Sequence, residues 1–249
     1  MSVKKLSFSK KFIMINQYKK IITSREYVNL EKWEIPFFDL SKIEESLWYK
    51  PYGDSSKDIY KENAIRSSTL NEDIKSKLWT GLVLKNQTGN FNDTFIDNVH
   101  ANYDNIKDLI ITYRKFKGKW TSISDKIKPI KSFFEKNIDP FLCVGHVYIL
   151  KIGPEGFIKE HRDIPDNYDE NIHKNYNTLN TFFCPLNDPV NSYFLLNKKQ
   201  VDLQTNKVTW FNSSLPHVYF NTSREDKYFL IFTGLARKPW INMTVSNVL

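Results

Sequence analysis

Two cysteines in 249 residues, Cys143 and Cys184, are too few for a disulfide framework. Each lies inside an apolar run, Phe141-Leu142-Cys143-Val144 and Phe182-Phe183-Cys184-Pro185, where a thiol packs as a small hydrophobe. A reducing cytoplasmic location is the expectation. Glycine (8) and proline (10) are scarce, which excludes linker-rich and repetitive segments. Long apolar runs are missing as well. Phe12-Ile13-Met14-Ile15 is too short for a signal sequence and stops at Asn16-Gln17, and nothing approaches the roughly 18 apolar residues of a membrane span. A membrane is therefore not an expected partner.

What is present is a core-forming composition, 41% hydrophobic and 15% aromatic, which excludes disorder. Net charge is +8, unevenly spread. Residues 1–140 carry 25 basic and 18 acidic side chains, and residues 141–249 carry 11 and 10. Such an excess can steer acidic partners. The lysines (Lys4, Lys10, Lys19, Lys32, Lys75, Lys107) are scattered and not clustered with aromatics, which suits a solvated surface better than a nucleic-acid interface.

Patterning divides the chain at Pro140. Before it, Trp33 to Leu40 is an aromatic docking segment. Ser41 to Tyr49 has a cap, Glu44 three residues on, and apolar positions of a short amphipathic helix. Trp79 to Lys85 is a strand, and 106–116 and 124–134 have helical spacing. After it, apolar runs of strand length alternate with turn signals: Phe141–Leu150, Phe157–His161, Thr178–Leu186, Ser192–Leu196, Lys207–Asn212, Pro216–Asn221 and Lys227–Leu235. Many short strands argue for a barrel or sandwich. The expected organisation is helices and strands over 1–140 packed on a β core over 141–240, with a tail at 241–249, in one compact domain.

Chemistry concentrates in Gly156-Phe157-Ile158-Lys159-Glu160-His161-Arg162-Asp163 and in Leu215-Pro216-His217-Val218-Tyr219. At the end of a strand, His161 and Asp163 share a face because side-chain direction repeats every second residue. His217 lies 54 residues beyond Asp163, so only a folded sheet brings it back. Two imidazoles and a carboxylate with open positions form the ligand set of non-haem Fe(II) oxygenases, whereas closed zinc sites favour four ligands with cysteines among them. His146 alternates within a buried strand and reads as a core or pocket histidine. His100 and His173 lie in polar stretches.

In this order of strand, His-x-Asp, strands, His, turn, basic residue and apolar strand, residues 141–240 resemble the 2-oxoglutarate-dependent Fe(II) oxygenases. Within them the aspartyl/asparaginyl β-hydroxylases are the most similar type, although some of those lack the acidic ligand that Asp163 supplies here. The resemblance implies a double-stranded β-helix, a jelly-roll or cupin-like barrel, with the strands of His161 and His217 side by side. It implies Fe(II) on His161, Asp163 and His217, O2, and 2-oxoglutarate as cosubstrate, decarboxylated to succinate as a protein side chain or small molecule is hydroxylated. It also implies a basic residue for the far carboxylate, usually Arg. Here Lys227 holds that place, with Arg224 in an exposed turn as its rival, and Asn180 is a further cosubstrate contact or a core amide. Two other readings of the barrel are a non-catalytic binding module for nucleic acid or another acidic partner, and a zinc or manganese isomerase or hydrolase.

Overall fold

The computed structural model describes residues 17–18, 20–21, 24–48, 79–86, 88–90, 118–163 and 179–245. The helix expected over 106–116, the acidic stretch after Asp163, and His100 and His173 lie outside them. Eleven strands are described: β1 (Tyr27–Glu34), β2 (Trp79–Asn86), β3 (Lys119–Trp120), β4 (Leu142–Ile152), β5 (Phe157–His161), β6 (Leu179–Pro185), β7 (Ser192–Leu196), β8 (Lys199–Gln200), β9 (Lys207–Phe211), β10 (His217–Asn221) and β11 (Lys227–Ala236).

Every pairing is antiparallel. The strands form a seven-stranded sheet, β1-β9-β6-β11-β4-β2-β3, and a four-stranded sheet, β5-β10-β7-β8. From β4 onward the chain crosses between the sheets at almost every connection: β4, β6, β9 and β11 belong to the larger, and β5, β7 and β10 to the smaller. That alternation winds two antiparallel ribbons into a double-stranded β-helix.

Two cores follow. Between the sheets lie Ile152, Phe183, Phe194, Leu196, Phe211, Tyr219 and Phe229. Phe183 stacks on Phe194 and Phe229, with centroids 4.9 and 4.8 Å apart. Behind the larger sheet lies a second core that includes Trp33, Leu142, Val147, Ile149, Phe182, Leu230 and Phe232. Strands covered on both faces explain the nearly continuous apolar runs of β4, β6 and β11.

The helical segment expected near 124–134 covers this second core. It starts as a 3-10 helix (Ser122–Ile127), continues as α1 (Lys128–Phe133) with Pro129 in its first turn, and ends in a π turn (Phe134–Ile138). Ile130, Phe134 and Ile138 are buried at a spacing of four residues, and Phe134 meets Phe232 edge-on at 4.9 Å. A second helix, α2 (Lys238–Val245), brings Trp240 to 5.2 Å from Trp33.

The helix expected over Ser41–Tyr49 is not formed. Two 3-10 turns, Leu40–Lys42 and Glu45–Leu47, occupy its place, and Asp39 caps the first by accepting the Ser41 N–H at 3.1 Å. The buried residues there are Ile43 and Trp48. Five positions apart, they would lie about 140° apart around a helix, whereas the irregular path turns both into the outer core.

A β-bulge in β4 sets the wall of the site. Thr233 pairs with His146 but Gly234 pairs with Val144, leaving Gly145 as the extra residue. Before the bulge Leu142 and Val144 face the outer core, and after it Val147 and Ile149 do. The inserted residue therefore switches parity and turns His146, Tyr148, Leu150 and Ile152 toward the barrel interior.

Candidate metal centre

β5 ends on His161, β10 begins on His217, and the register makes the two direct partners. Directly opposed residues of an antiparallel pair emerge on one face, and here the imidazole centroids are 4.3 Å apart. Asp163 is tied instead to the larger sheet. Its N–H donates to the Ser213 carbonyl at 3.0 Å. The Ser213 hydroxyl in turn accepts from Thr181 Oγ1 on β6 at 2.9 Å. The centre is thus assembled from both sheets at one end of the barrel.

The backbone orients each ring. His161 Nδ1 lies 2.7 Å from the Lys159 carbonyl oxygen, and His217 Nδ1 lies 2.9 Å from that of Leu215. A carbonyl only accepts, so both Nδ1 atoms carry a proton, and in the neutral tautomer this selects the Nε2 atoms are left with a lone pair. These Nε2 atoms lie 3.8 Å (His161) and 3.7 Å (His217) from the same oxygen, Asp163 Oδ1. Such separations are too long for hydrogen bonds. They are short enough for a shared ion, since two bonds of about 2.1 Å reach across ~4.2 Å. One ligand atom from each residue lies within 4.8 Å of the other two.

Burial is the main reason the His217 pKa falls below its ordinary value; Asp163 opposes the shift and the second imidazole adds to it. His217 is therefore neutral at pH 7, the form that binds a metal. His161 and Asp163 are exposed, which places the centre at an open mouth. The residues present fit a divalent ion on two neutral imidazoles and one carboxylate.

Burial along the interior face shows how far that mouth penetrates. Thr233, Ile231 and Tyr148 are half-buried although they point inward, while Phe229 and Leu150, one pair deeper, are buried. The opening therefore ends in a floor of packed side chains, with the Tyr219 and Phe229 rings 4.2 Å apart. Around the opening stand His146, Tyr148, Thr181 and Thr233. Burial drives the His146 pKa down to about 4, so its imidazole is neutral. Burial, and the Asp163 charge after it, push the Tyr148 phenol up, so it stays protonated.

The structure brings together His161, Asp163 and His217 and leaves Lys227, Arg224 and Asn180 out of that cluster. Lys227 faces inward but pairs with Ile152 below the floor, and its Nζ donates to the Asp188 carbonyl at 2.8 Å. Arg224 is exposed in the turn that Asn221 closes with three carbonyl contacts through Nδ2. Asn180 faces the outer core, where its Oδ1 accepts from Tyr18 OH at 2.9 Å and Trp210 Nε1 at 3.0 Å. Its expected strand is present, but the parity of β6 points Asn180 away from the opening. Tyr148, Thr181, Ser213 and Thr233 escaped the sequence reading. The available signal was the glycine ahead of His146, which marks a bulge in a strand.

The chain matches no protein-family profile and no curated protein. Among solved structures, it is similar to a 2OG-Fe(II) oxygenase family oxidoreductase from Burkholderia pseudomallei. That similarity has 10% identity, covers 88% of this chain and 89% of that one, and has a TM-score of 0.41. A predicted oxalate decarboxylase from Thermotoga maritima is 18% identical over 37% of this chain and 67% of its own, with a TM-score of 0.28. The cupin domain of an XRE family transcriptional regulator from Enterobacter cloacae is 12% identical over 37% of this chain and 82% of its own, also with a TM-score of 0.28. None of these likenesses bears on activity.

Proposed function

We propose that this protein is an Fe(II)-dependent oxygenase that uses 2-oxoglutarate and O2 to hydroxylate a protein side chain or small molecule. The aspartyl/asparaginyl β-hydroxylases are the type its sequence resembles. One observation carries the reading: two imidazole Nε2 atoms, each freed by an Nδ1–H bond to backbone, face the same carboxylate oxygen at 3.7 and 3.8 Å. A pair of surface histidines beside an aspartate has no reason to turn both lone pairs to one point.

His161, Asp163 and His217 would hold the iron, which when bound supplies open positions for a 2-oxo acid and dioxygen. The chain's own contribution is orientation. The Lys159 and Leu215 carbonyls fix the two tautomers, which sharpens metal affinity. The Ser213 carbonyl fixes the backbone of Asp163. Phe211 and Phe194 stand edge-on to the His217 ring at centroid distances of 5.2 and 6.0 Å and keep water from its buried side.

The test is anaerobic titration of the purified protein with Fe(II) and then 2-oxoglutarate. The expected result is stoichiometric metal binding followed by a weak visible charge-transfer band, both absent from His217→Ala. Exclusive zinc binding with turnover independent of oxygen would replace this reading with the isomerase or hydrolase one.

A further inference from the structure

We infer that Thr181 and Ser213 are positioning residues of the metal centre: their paired hydroxyls fix the connection between β9 and β10, and that connection places Asp163 against the two imidazoles. The inference rests on the oxygenase reading above only through its three metal ligands.

Those ligands are not held alike. His161 and His217 are each oriented through the ring itself, by Nδ1 at 2.7 and 2.9 Å from a backbone carbonyl. Asp163 has no such hold on its side chain. Among the described residues its carboxylate accepts no hydrogen bond, the imidazole contacts being 3.7 and 3.8 Å, and the side chain is 37% exposed. What ties the residue down is its N–H, which donates to the Ser213 carbonyl at 3.0 Å. The position of this ligand therefore follows the position of Ser213.

Ser213 belongs to a five-residue connection, Asn212 to Pro216, whose carbonyls serve two ligands. The Ser213 carbonyl takes the Asp163 N–H, and the Leu215 carbonyl takes the His217 ring. Both ends of the connection are anchored: the Asn212 N–H donates to the Glu26 carbonyl at 2.8 Å, and the Pro216 carbonyl accepts the Asn197 N–H at 2.7 Å. Its middle is held by Thr181 Oγ1, which donates to Ser213 Oγ at 2.9 Å, with both residues buried. Thr181 sits on β6, paired with Phe211 of β9 on one side and Thr233 of β11 on the other. A strand bonded along both edges is a stiff base for a site.

Removing the Thr181 hydroxyl leaves that of Ser213 buried without its donor, and the middle of the connection shifts to satisfy it. Metal–ligand distances tolerate only about 0.2 Å. His217 keeps its own ring bond, so the loss falls on Asp163. Groups that support a ligand from behind change metal affinity roughly 10- to 100-fold, and a bond two steps removed belongs at the lower end.

The experiment measures the Mn(II) dissociation constant of the full chain from the electron paramagnetic resonance signal of the free ion. Thr181→Val, which keeps the shape, is expected to weaken binding about tenfold, and Thr181→Ser to stay within about twofold of wild type. Thr209→Val is the control, because it deletes an equally buried hydroxyl that bonds Asn29 on the neighbouring strand pair; it is expected to lower the thermal midpoint and leave the dissociation constant unchanged. In an Asp163→Ala background, Thr181→Val is expected to have no further effect on Mn(II). Should Thr181→Val not fold, Ser213→Ala removes the same bond from its other end and is read by the same cycle. A Thr181→Val chain that is less stable but binds Mn(II) like wild type would overturn the inference and leave the oxygenase reading standing, as would an equal loss with and without Asp163. Failure of the wild-type chain to bind Mn(II) or Fe(II) would sink both.

Discussion

At the scale of single residues, one tautomer decides whether three converging side chains make a centre. Had either ring carried its proton on Nε2, the Nδ1 lone pair would have met the neighbouring carbonyl oxygen, and the arrangement would be repulsive. Asn180 shows the same accounting in the outer core, where one amide oxygen serves two buried donors, Tyr18 OH and Trp210 Nε1. Burial pushes the Tyr18 phenol up to about 12, so it remains a donor at physiological pH. Replacing Asn180 by Leu keeps the volume and removes the acceptor, which costs roughly 1–3 kcal/mol for each donor left without it. Asn180→Leu is therefore expected to lower the chemical denaturation midpoint clearly while metal affinity of the folded fraction stays unchanged. A stable variant with weakened metal binding would instead place Asn180 in the site.

At the scale of elements, the strands were legible and their parity was not. The expected limits of β5 and β7 match those observed, and β4, β6, β9, β10 and β11 differ by one or two residues at an end. Apolar length and turn residues are local signals, so they survive folding. Which face a side chain takes is different, because Gly145 inserts one residue into β4 and reverses the assignment of everything after it. The two-residue β8 was missed for a similar reason. It is created by a tight turn in which Asn197 and Lys198 both adopt positive φ, 51° and 65°, as a type I′ hairpin requires, and lysine is an uncommon choice there. The bulge also has a tight neighbour. A Cβ added at Gly118 would lie 2.1 Å from the Gly145 carbonyl oxygen, which is backbone and cannot rotate aside. Gly118→Ala is expected to destabilise by about 1–3 kcal/mol through forced displacement, read as a lower thermal midpoint. A variant of unchanged stability would show that β4 and residue 118 separate at little cost.

At the scale of the whole molecule, long-range pairing was the least legible feature. β1 joins the larger sheet through β9, with Tyr27 opposite Phe211 and Val28 opposite Trp210, and no local signal links segments so far apart. The closure matters because the candidate ligands divide between the sheets: the imidazoles come from β5 and β10, while Asp163 is moored through Ser213 and Thr181 to β6. An ion bound there would bridge the two sheets at their open end. Ligand binding to the native state alone stabilises by about 2.7 kcal/mol at a free concentration one hundred times the dissociation constant. The four-stranded sheet rests on the smaller core, whereas the seven-stranded sheet is also backed by α1, α2 and the larger core. The smaller sheet should therefore open first, with the lower local stability expected of elements holding fewer buried contacts. Hydrogen exchange with and without saturating Fe(II) or Mn(II) is expected to show the largest gain in protection at β5 and β10, a smaller gain at β4 and β11, and reversal by chelator. Equal gains in all four strands would mean that the barrel opens only as a unit, and no gain at β5 and β10 would mean that the ion does not join the sheets.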